Sequence, residues 1–375
     1  MKSRVVALRT KPETVLDDYA ALLERADTRA LLPAGEPLIL KLNLSWTRYF
    51  PACSTQPWQL EGTVRALLEQ GHARDALLPV ENRTVVTDPW RGAANNGWLA
   101  VLRRYGLRFT ALTEVEWTTH RFREPLLRVD RLFPEGIRIP KMFIGKNILH
   151  LPTLKTHGHS VTTGAVKNAF GGLLKEVRHY AHKHIHEVLS DLMVMQRELH
   201  PRVFGVMDGT VCGDGAGPRT MKPVTQNLIL ASDDSVALDA VAARLMGFDP
   251  MGIGYLRLCH DRGLGVADPR DIRVEGASLQ GVNFGFKVTR SPVIWGDQML
   301  RLGPLRFLEK LLLHSPLVVW APFASNLYHD WLWYPTVGMW RIGKFRHTPW
   351  GALADAYRRP PRSGSEELAV RRMPG

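Results

Sequence analysis

The chain has 375 residues, 45% of them hydrophobic, which is enough apolar material for one large domain without stabilising cross-links. Its formal net charge of +13 favours an anionic partner, such as an acidic metabolite, a nucleic acid or an acidic membrane surface. The three cysteines, Cys53, Cys212 and Cys259, have no CxxC spacing, which argues against an iron–sulfur cluster or a zinc ribbon within this chain.

Short apolar runs alternate with amphipathic helical patterns along the first 284 residues. Residues 37–44 predict a buried strand, and a helix is expected from Pro57 to a stop at Gly71. Further strands are expected at residues 75–82, 107–115, 146–152, 202–208 and 226–232, and helices at 92–105, 186–199 and 232–247. This alternation predicts an α/β domain with a mostly parallel, doubly wound, Rossmann-like sheet covered on both faces.

The composition changes near residue 285. Six of the eleven tryptophans and thirteen Lys/Arg against six Asp/Glu lie in residues 285–375. We therefore predict two parts: an α/β domain over residues 1–284, and a helical, Trp-rich, basic extension over 285–375 with a flexible tail from about residue 360. The tryptophans either pack on the main core, which we favour, or form a membrane-interface belt.

The sequence predicts a cytoplasmic protein, with peripheral membrane contact through the extension as an alternative. The N-terminal residues contain no apolar segment typical of a signal peptide. The most apolar stretch, residues 311–324, is interrupted by Pro316 and Pro322, so it falls short of the ~20 apolar residues that a membrane-spanning helix needs. No nucleic-acid-binding motif is evident, which disfavours that class of partner.

Polar residues follow several of the predicted strands. In open parallel sheets, ligands bind beyond the carboxyl ends of the strands. The positions that this rule selects are Lys41, Asn43, Lys155, His157, Asp208, Ser232, Asp233 and Asp234.

The segment "LKTHGHSVTTGAVKNAFGG", residues 154–172, combines basic and hydroxyl side chains between apolar elements. Lys155, His157 and Lys167 predict an anion-binding set, since lysine is a compact charge for phosphate or carboxylate. His157 is also a candidate general acid or base, because the unperturbed histidine pKa is about 6.5. The alternative is a solvated basic loop.

Histidines and carboxylates raise the question of a metal. His182 and His186 are four residues apart, a spacing that suits one face of a helix, but no third ligand accompanies them. The roles of His179 and His184 are left open. Asp208, Asp214, Asp234 and Asp239 either converge on a divalent cation or balance the lysines, whereas Asp233 and Asp234 also suit helix capping. The glycine-rich stretch after Asp208 indicates a tight turn, and Cys212 within it is expected to be inert.

Four stretches resemble one family. "LPTLKTHGHSVTTGAVKNAFGG" is similar to the hallmark of the domain of unknown function 362 family, and "LKLNLSW", "VMDGTVCGDGAGPRT" and "ASDDSVALDAVAARLMGFDP" resemble further family motifs in the same order. The resemblance spans about residues 37–275. It marks the positions Lys41, Asn43, Lys155, His157, Lys167, Asn168, Asp208, Asp214, Ser232, Asp234 and Asp239.

The chain departs from the family pattern in three respects. Asp214 stands where the family usually has glutamate, and Leu42 stands where proline is common. The cysteine-rich ferredoxin-like module of many relatives has no counterpart in this sequence. The resemblance therefore supports the expected fold more strongly than it supports any expected reaction.

These observations predict an intracellular enzyme acting on a small anionic metabolite by proton transfer, of lyase or isomerase type. His157, Lys155, Asp208 and Asp214 are the predicted catalytic residues. Substrate binding is assigned to Lys41, Asn43, Lys167, Asn168 and Ser232, and a divalent metal, if used, to Asp214, Asp234 and Asp239. The alternatives are a redox-associated protein with a separate iron–sulfur partner and a peripheral membrane-docking module.

Overall fold

The computed structural model describes residues 2–174, 181–313, 315 and 320–358. Its strands are β1 (Ser3–Arg9), β2 (Leu38–Lys41), β3 (Leu77–Glu81), β4 (Thr110–Ala111), β5 (Trp117–His120), β6 (Ile137–Pro140), β7 (Asn147–His150), β8 (Thr153–His157), β9 (Val161–Thr163), β10 (Val203–Ala216), β11 (Thr220–Ser232) and β12 (Ile272–Gly276). Its helices are α1 (Val15–Arg25), α2 (Thr28–Leu31), α3 (Pro57–Glu69), α4 (Pro89–Asn95), α5 (Trp98–Arg104), α6 (Val129–Leu132), α7 (Ala165–Leu173), α8 (Ile185–Leu199), α9 (Ser235–Met246), α10 (Gly254–Asp261), α11 (Pro292–Arg301), α12 (Glu309–Leu313), α13 (Trp320–Asn326), α14 (Met339–Arg346) and α15 (Pro349–Arg358), with a π-helix at Leu327–Gly338.

The main sheet is large and mostly parallel, as predicted. Its strand order is β12-β1-β11-β10-β7-β2-β3-β4, with β8 pairing with β10 and β9 at one end of the sheet. Strand β11 is antiparallel to both of its neighbours, β1 and β10. The remaining neighbours along the main order run parallel. A separate two-stranded sheet contains β5 and β6.

Helices cover both faces of the sheet, because successive strand residues point to opposite sides. In β2, Leu38 and Leu40 pack in one apolar cluster with α1, α3 and α5. Ile39, between them, packs in a second cluster with α7, α8 and α10. The doubly wound α/β arrangement predicted from the alternation of elements is therefore confirmed.

Helix boundaries follow the local signals in the sequence. Helix α3 begins with Pro57 in its first turn, and Gln56 and Gln59 form a reciprocal capping box. Gly71, just beyond its end, has a φ of +100°, a conformation that glycine adopts without steric cost. The single helix expected at residues 92–105 is instead two helices, α4 and α5, separated at Gly97, whose φ is +78°.

The glycine-rich stretch after Asp208 is a strand that ends in a tight turn at residues 217–219. Strands β10 and β11 form one long antiparallel hairpin that pairs Gly205 with Ser232 at its base and Ala216 with Thr220 at its tip. Gly213 lies opposite Lys155 of β8, and a Cβ atom there would approach the sulfur of Met221 to 2.3 Å. Gly213 thus permits close packing of strands, whereas Gly215 has a φ of +107° and Gly217 begins the tight turn at the tip of the hairpin.

The C-terminal region is helical, as predicted, and divides its tryptophans between the core and the surface. Trp350 is 2% exposed and lies 5.1 Å from the ring of Trp58 in α3. Trp333 is also buried, against Trp46 and Phe50. The tryptophans of this region that stay exposed are Trp295, Trp320, Trp331 and Trp340. The tail from residue 359 lies outside the described residues.

Among the described residues, no helix is both long enough and apolar enough to cross a lipid bilayer.

Candidate functional site

The carboxyl ends of β2, β3 and β7 bring together buried polar side chains. Lys41 at the end of β2 donates from Nζ to Oε1 of Glu81 at 2.8 Å and to the carbonyl of Leu42 at 2.6 Å. Both charged side chains are almost fully buried. Burial of such a pair is tolerated because each charge compensates the other. Lys41, a predicted substrate-binding residue, therefore already has a carboxylate partner.

Asn168 connects α7 to this edge. Its Nδ2 donates to the carbonyl of Lys41 at 2.9 Å and lies 3.3 Å from Nδ1 of His150. Nε2 of His150 is 2.6 Å from Oε1 of Gln196 in α8. Burial lowers the pKa of His150 to about 3, so this imidazole is neutral and serves as a hydrogen-bonded link between strands and helices.

Lys155 and Asn43, both predicted site residues, are in direct contact. Nζ of Lys155 donates to Oδ1 of Asn43 at 2.5 Å, to the carbonyl of Cys53 at 2.8 Å and to Oγ1 of Thr153 at 2.6 Å. Burial lowers the pKa of Lys155 to about 8. This lysine can therefore exchange a proton near neutral pH, although all three donor positions of its charged form are in use.

His157 differs from its neighbours because one ring nitrogen is left without a partner. Its Nδ1 accepts the backbone N–H groups of His159 at 3.1 Å and Ser160 at 3.3 Å. Two donors at Nδ1 require the neutral ring to carry its proton on Nε2. No hydrogen-bond partner for Nε2 is found among the described residues. His157 thus presents an N–H donor, unpaired within the described part of the chain, on a side chain that is only 4% exposed.

Lysine and histidine side chains lie near His157. Burial is the largest cause that holds the pKa of His157 well below the usual range. The charge of Lys167 lowers this pKa further, and His159, His182 and Lys155 follow with smaller effects. The ring of His159 lies 5.9 Å from that of His157 and stacks on that of His182 at 5.0 Å. At neutral pH the imidazole of His157 is therefore uncharged and close to cationic side chains, an arrangement that favours an anion.

Helix α11 of the C-terminal region covers the turn between β8 and β9. Nε2 of Gln298 donates to the carbonyl of Gly158 at 3.1 Å, and Asp297 lies 3.7 Å from Nε2 of His159. A Cβ atom on Gly158 would approach Ile294 to 2.8 Å, so glycine allows this helix to lie close to the turn. The extension therefore contributes residues to the surroundings of His157.

The predicted catalytic residue Asp208 is occupied by internal hydrogen bonds. Its Oδ2 accepts from the hydroxyl of Tyr19 at 2.7 Å and from Nε1 of Trp58 at 3.0 Å. Its Oδ1 accepts the hydroxyl of Thr210 at 2.7 Å and the same residue's N–H at 3.1 Å. Burial raises the pKa of Asp208, and these donors oppose the rise. No bond or ion pair joins it to His157 among the described residues.

The other predicted carboxylates lie at separate positions in the fold. Asp234 caps α9, accepting from the N–H groups of Val236 and Ala237, and Asp239 accepts those of Ala165 and Val166 at the start of α7. Asp214 accepts the N–H of Lys287. Within the described ranges, no three His, Cys, Asp or Glu side chains are grouped closely enough to hold a metal ion.

Ser232 and the described histidines of residues 181–186 also have structural partners. Ser232 donates to the carbonyl of Arg4 at 2.6 Å and accepts from the N–H of Asp234 at 3.0 Å.

Nδ1 of His186 accepts the N–H of Tyr255. His182 lies three residues before the start of α8, and its ring stacks on that of His159. His184 lies 3.7 Å from Glu187, and His179 is outside the described residues.

The three cysteines are buried free thiols. Burial raises the pKa of Cys53 to about 11 and that of Cys259 to about 12, and it raises the pKa of Cys212 well above the usual range. A raised pKa keeps each sulfur protonated at neutral pH, which disfavours nucleophilic chemistry.

Sequence reasoning missed residues that the structure places beside the predicted ones. Glu81 and His150 are the last residues of β3 and β7, so the strand-end rule that selected Lys41 also applies to them. Oε2 of Glu81 and Nδ2 of Asn82 are buried without a hydrogen-bond partner among the described residues. A cavity of about 800 Å³, lined in part by Arg48, Arg83 and Arg91, follows the ends of β2 and β3.

The structure is that of an α/β protein with buried lysine and histidine side chains at one end of a mostly parallel sheet. The family model described as "Domain of unknown function (DUF362)" matches residues 38–244, a range that contains every site residue predicted from the sequence. The chain belongs to this family, as the resemblance predicted.

A thylakoid-associated protein of Synechocystis sp. is 24% identical to this chain over 263 residues, which cover 66% of this chain and 77% of the relative. No solved structure matches this chain.

Proposed function

We propose that this chain is an intracellular enzyme that binds a small anionic metabolite, carboxylate or phosphate, beside His157. The observation that carries the proposal is the N–H donor at Nε2 of His157, which has no partner among the described residues although the side chain is only 4% exposed. The other predicted polar residues around it, such as Lys155 and Asn168, already donate within the protein.

The chemistry of the two neighbouring groups favours proton transfer of lyase or isomerase type. A neutral imidazole with its proton on Nε2 donates a hydrogen bond to a substrate oxygen and stabilises negative charge that develops there. Lys155, whose pKa burial lowers to about 8, is the group suited to exchange a proton near neutral pH. His157 is accordingly assigned as a hydrogen-bond donor and not as a base.

This assignment is tested by nitrogen-15 NMR of the histidine rings in the full chain. We expect the His157 ring to be the Nε2–H tautomer at pH 7 and its signals to shift on titration with inorganic phosphate or malonate. His157→Gln should abolish the titration while changing the melting temperature little, and His347→Gln, at an exposed position, is the control. An Nδ1–H tautomer, or equal shifts in the His157→Gln variant, would contradict the proposal.

A second candidate function, peripheral docking on an anionic membrane, is favoured by the exposed apolar residues of the extension. Of the eighteen large apolar side chains that are exposed in the described residues, thirteen lie between Trp295 and Trp340. A concentration of this kind marks an interaction surface. The relative named as thylakoid-associated supports the same choice.

Charge in this region suits an acidic surface. The carboxylates of Asp297, Glu309 and Asp330 are each paired with a basic side chain. The side chains of Arg306, Lys310 and Lys344 are exposed among the apolar residues. Basic residues beside tryptophans and leucines are typical of helices that lie in a membrane interface.

Vesicle co-sedimentation with point variants tests the docking surface. Truncation at residue 285 is unsuitable because it would remove Trp350 from the core. We expect the wild-type chain to bind phosphatidylglycerol vesicles more than phosphatidylcholine vesicles, and Phe307→Ser with Trp340→Ser to reduce binding roughly tenfold. The control is Ile144→Ser, because Ile144 lies outside the extension and is 44% exposed. Equal binding by both variants would contradict docking through this surface.

A further inference from the structure

The cavity beyond β2 and β3 combines charged and apolar walls. It has a volume of about 800 Å³ and lies between the loops that follow these strands and the helices at 320–331. Arg48 and Arg83 in the loops and Arg91 at the start of α4 form one side, here called the loop side, and Phe323, Leu327 and Trp331 form the helical side. A volume of this size can hold a small organic molecule.

Positive charge is in excess on the loop side. Arg48 lies 3.1 Å from Asp330 and packs over the ring of Tyr334 at 4.8 Å. Arg83 lies 3.2 Å from Asp88. The third guanidinium, that of Arg91, has no hydrogen-bond or ion-pair partner among the described residues. Three arginines against two carboxylates at the wall leave one positive charge for a ligand to neutralise, and arginine suits planar or phosphate oxygen groups.

The helical side and the rim expose large apolar side chains. Phe323 is 61% exposed, Leu327 47% and Trp331 69%, and Val85 on the opposite loop is 52% exposed. The free energy of binding is favourable when a ligand removes apolar surface of this extent from water. Because the arginines and the apolar residues line one continuous cavity, a single ligand can satisfy both sides.

We propose that this cavity binds an anionic amphiphile, with a phosphate or carboxylate head group against the arginines and an alkyl chain against the helical side. The same chemistry belongs to a free amphiphilic metabolite and to a lipid in a bilayer. The site is separate from His157 and uses arginines of the α/β domain, so it does not depend on the enzymatic proposal or on Phe307 and Trp340.

The experiment is calorimetric titration of the full chain with octyl phosphate below its micellar concentration and with inorganic phosphate. We expect octyl phosphate to bind at least about tenfold more tightly, because only it contacts the apolar side. Arg83→Gln with Arg91→Gln should weaken binding by about tenfold or more. The control Arg257→Gln alters an exposed arginine of α10 and should bind as the wild type does.

A second variant and a vesicle measurement separate the possible outcomes. Leu327→Asn, which leaves the arginines intact, should bring the affinity for octyl phosphate down to that for inorganic phosphate. Binding only to phosphatidic acid vesicles, lost in the double arginine variant and kept in Ile144→Ser, would identify the source as a bilayer lipid. Octyl phosphate binding that is unchanged in the double arginine variant, equal binding of both phosphates, or binding of none of these probes would overturn the proposal.

Discussion

At the scale of single residues, buried histidines couple stability to pH. Burial lowers the pKa of His150 and of His329 to about 3 and that of His200 to about 4. The unfolded chain takes up protons at these histidines below the ordinary pKa of about 6.5, whereas the folded chain does not. The stability that the neutral rings provide is therefore present above that pH and lost as pH falls from about 6.5 towards the folded pKa values.

The resulting prediction concerns His150→Gln. Between pH 7 and pH 5.5 the wild-type chain should lose roughly 1 kcal/mol more of its unfolding free energy than this variant, since one buried histidine accounts for about that amount. Urea unfolding at both pH values measures the difference. Asp239, whose pKa burial raises to about 7, acts in the opposite direction, but it is common to both chains. The control is His347→Gln, which changes an exposed histidine and is measured by urea unfolding at the same two pH values. Identical pH dependence of the unfolding free energy in His150→Gln and in the wild-type chain would contradict the prediction.

The sequence indicated part of this polar edge. The strand-end rule selected Lys41, and it selected Asn43 and Lys155, which are in contact. It could not assign their partners, because the ion pair with Glu81 and the contact of Lys155 with the carbonyl of Cys53 depend on how distant segments pack. The tautomer of His157 was equally inaccessible, since it follows from the turn at residues 158–160.

At the scale of elements, one carboxylate joins two helices. Asp239 lies in the middle of α9, and it accepts the N–H of Ala165 at 2.7 Å and that of Val166 at 3.2 Å at the start of α7. The first N–H groups of a helix need partners outside the helix. Gly164 leaves room for this contact, because a Cβ atom there would lie 2.0 Å from Oδ1 of Asp239.

Gly164→Ala should therefore destabilise the protein by about 2 kcal/mol or more, through overpacking and loss of the cap. The measurement is the midpoint of urea unfolding. Gly343→Ala, in α14, is the matched control, since nothing lies within 4 Å of its added Cβ, and it should leave stability unchanged or slightly increased. Equal urea unfolding midpoints for Gly164→Ala and Gly343→Ala would contradict the prediction, since they would mean that Asp239 and α7 can move apart without loss of stability.

Element types were predictable where local periodicity was strong, and boundaries were not. Helix α9, with Asp234 before it and Gly247 after it, agrees with its sequence signals. The strand expected at residues 107–115 is reduced to Thr110–Ala111 followed by a 3₁₀ turn, because only these two residues pair with β3. The glycines after Asp208 correctly indicated the turn at residues 217–219, but the strand before it was missed, since its parallel neighbour β8 cannot be recognised from the local sequence.

At the scale of the whole molecule, the extension shares the core of the α/β part. Trp350, Phe345 and Ala354 belong to the same apolar cluster as Trp58 and Leu60 of α3. The division at residue 285 remains a prediction, but the end of the described chain packs on its first half.

Two tryptophan variants test this packing. Trp350→Ala removes a side chain that is 2% exposed and should destabilise the protein by about 3–5 kcal/mol. Trp340→Ala removes one that is 59% exposed and should change stability by about 0.5 kcal/mol or less. Thermal or urea unfolding compares them, and a small effect of Trp350→Ala would mean that the extension is dispensable for the stability of the α/β part.

The position of β1 has a consequence for biosynthesis. Strand β1 is synthesised before β11 and β12, yet it lies between them in the sheet, where Val6 is paired with both Ala231 and Glu275. Pairing of such distant segments slows folding, because a long loop must close before the contacts form. Val5, Val6 and Ala7 therefore stay without their sheet neighbours until the later strands have been synthesised, and an unpaired strand of this kind is prone to aggregation during that time.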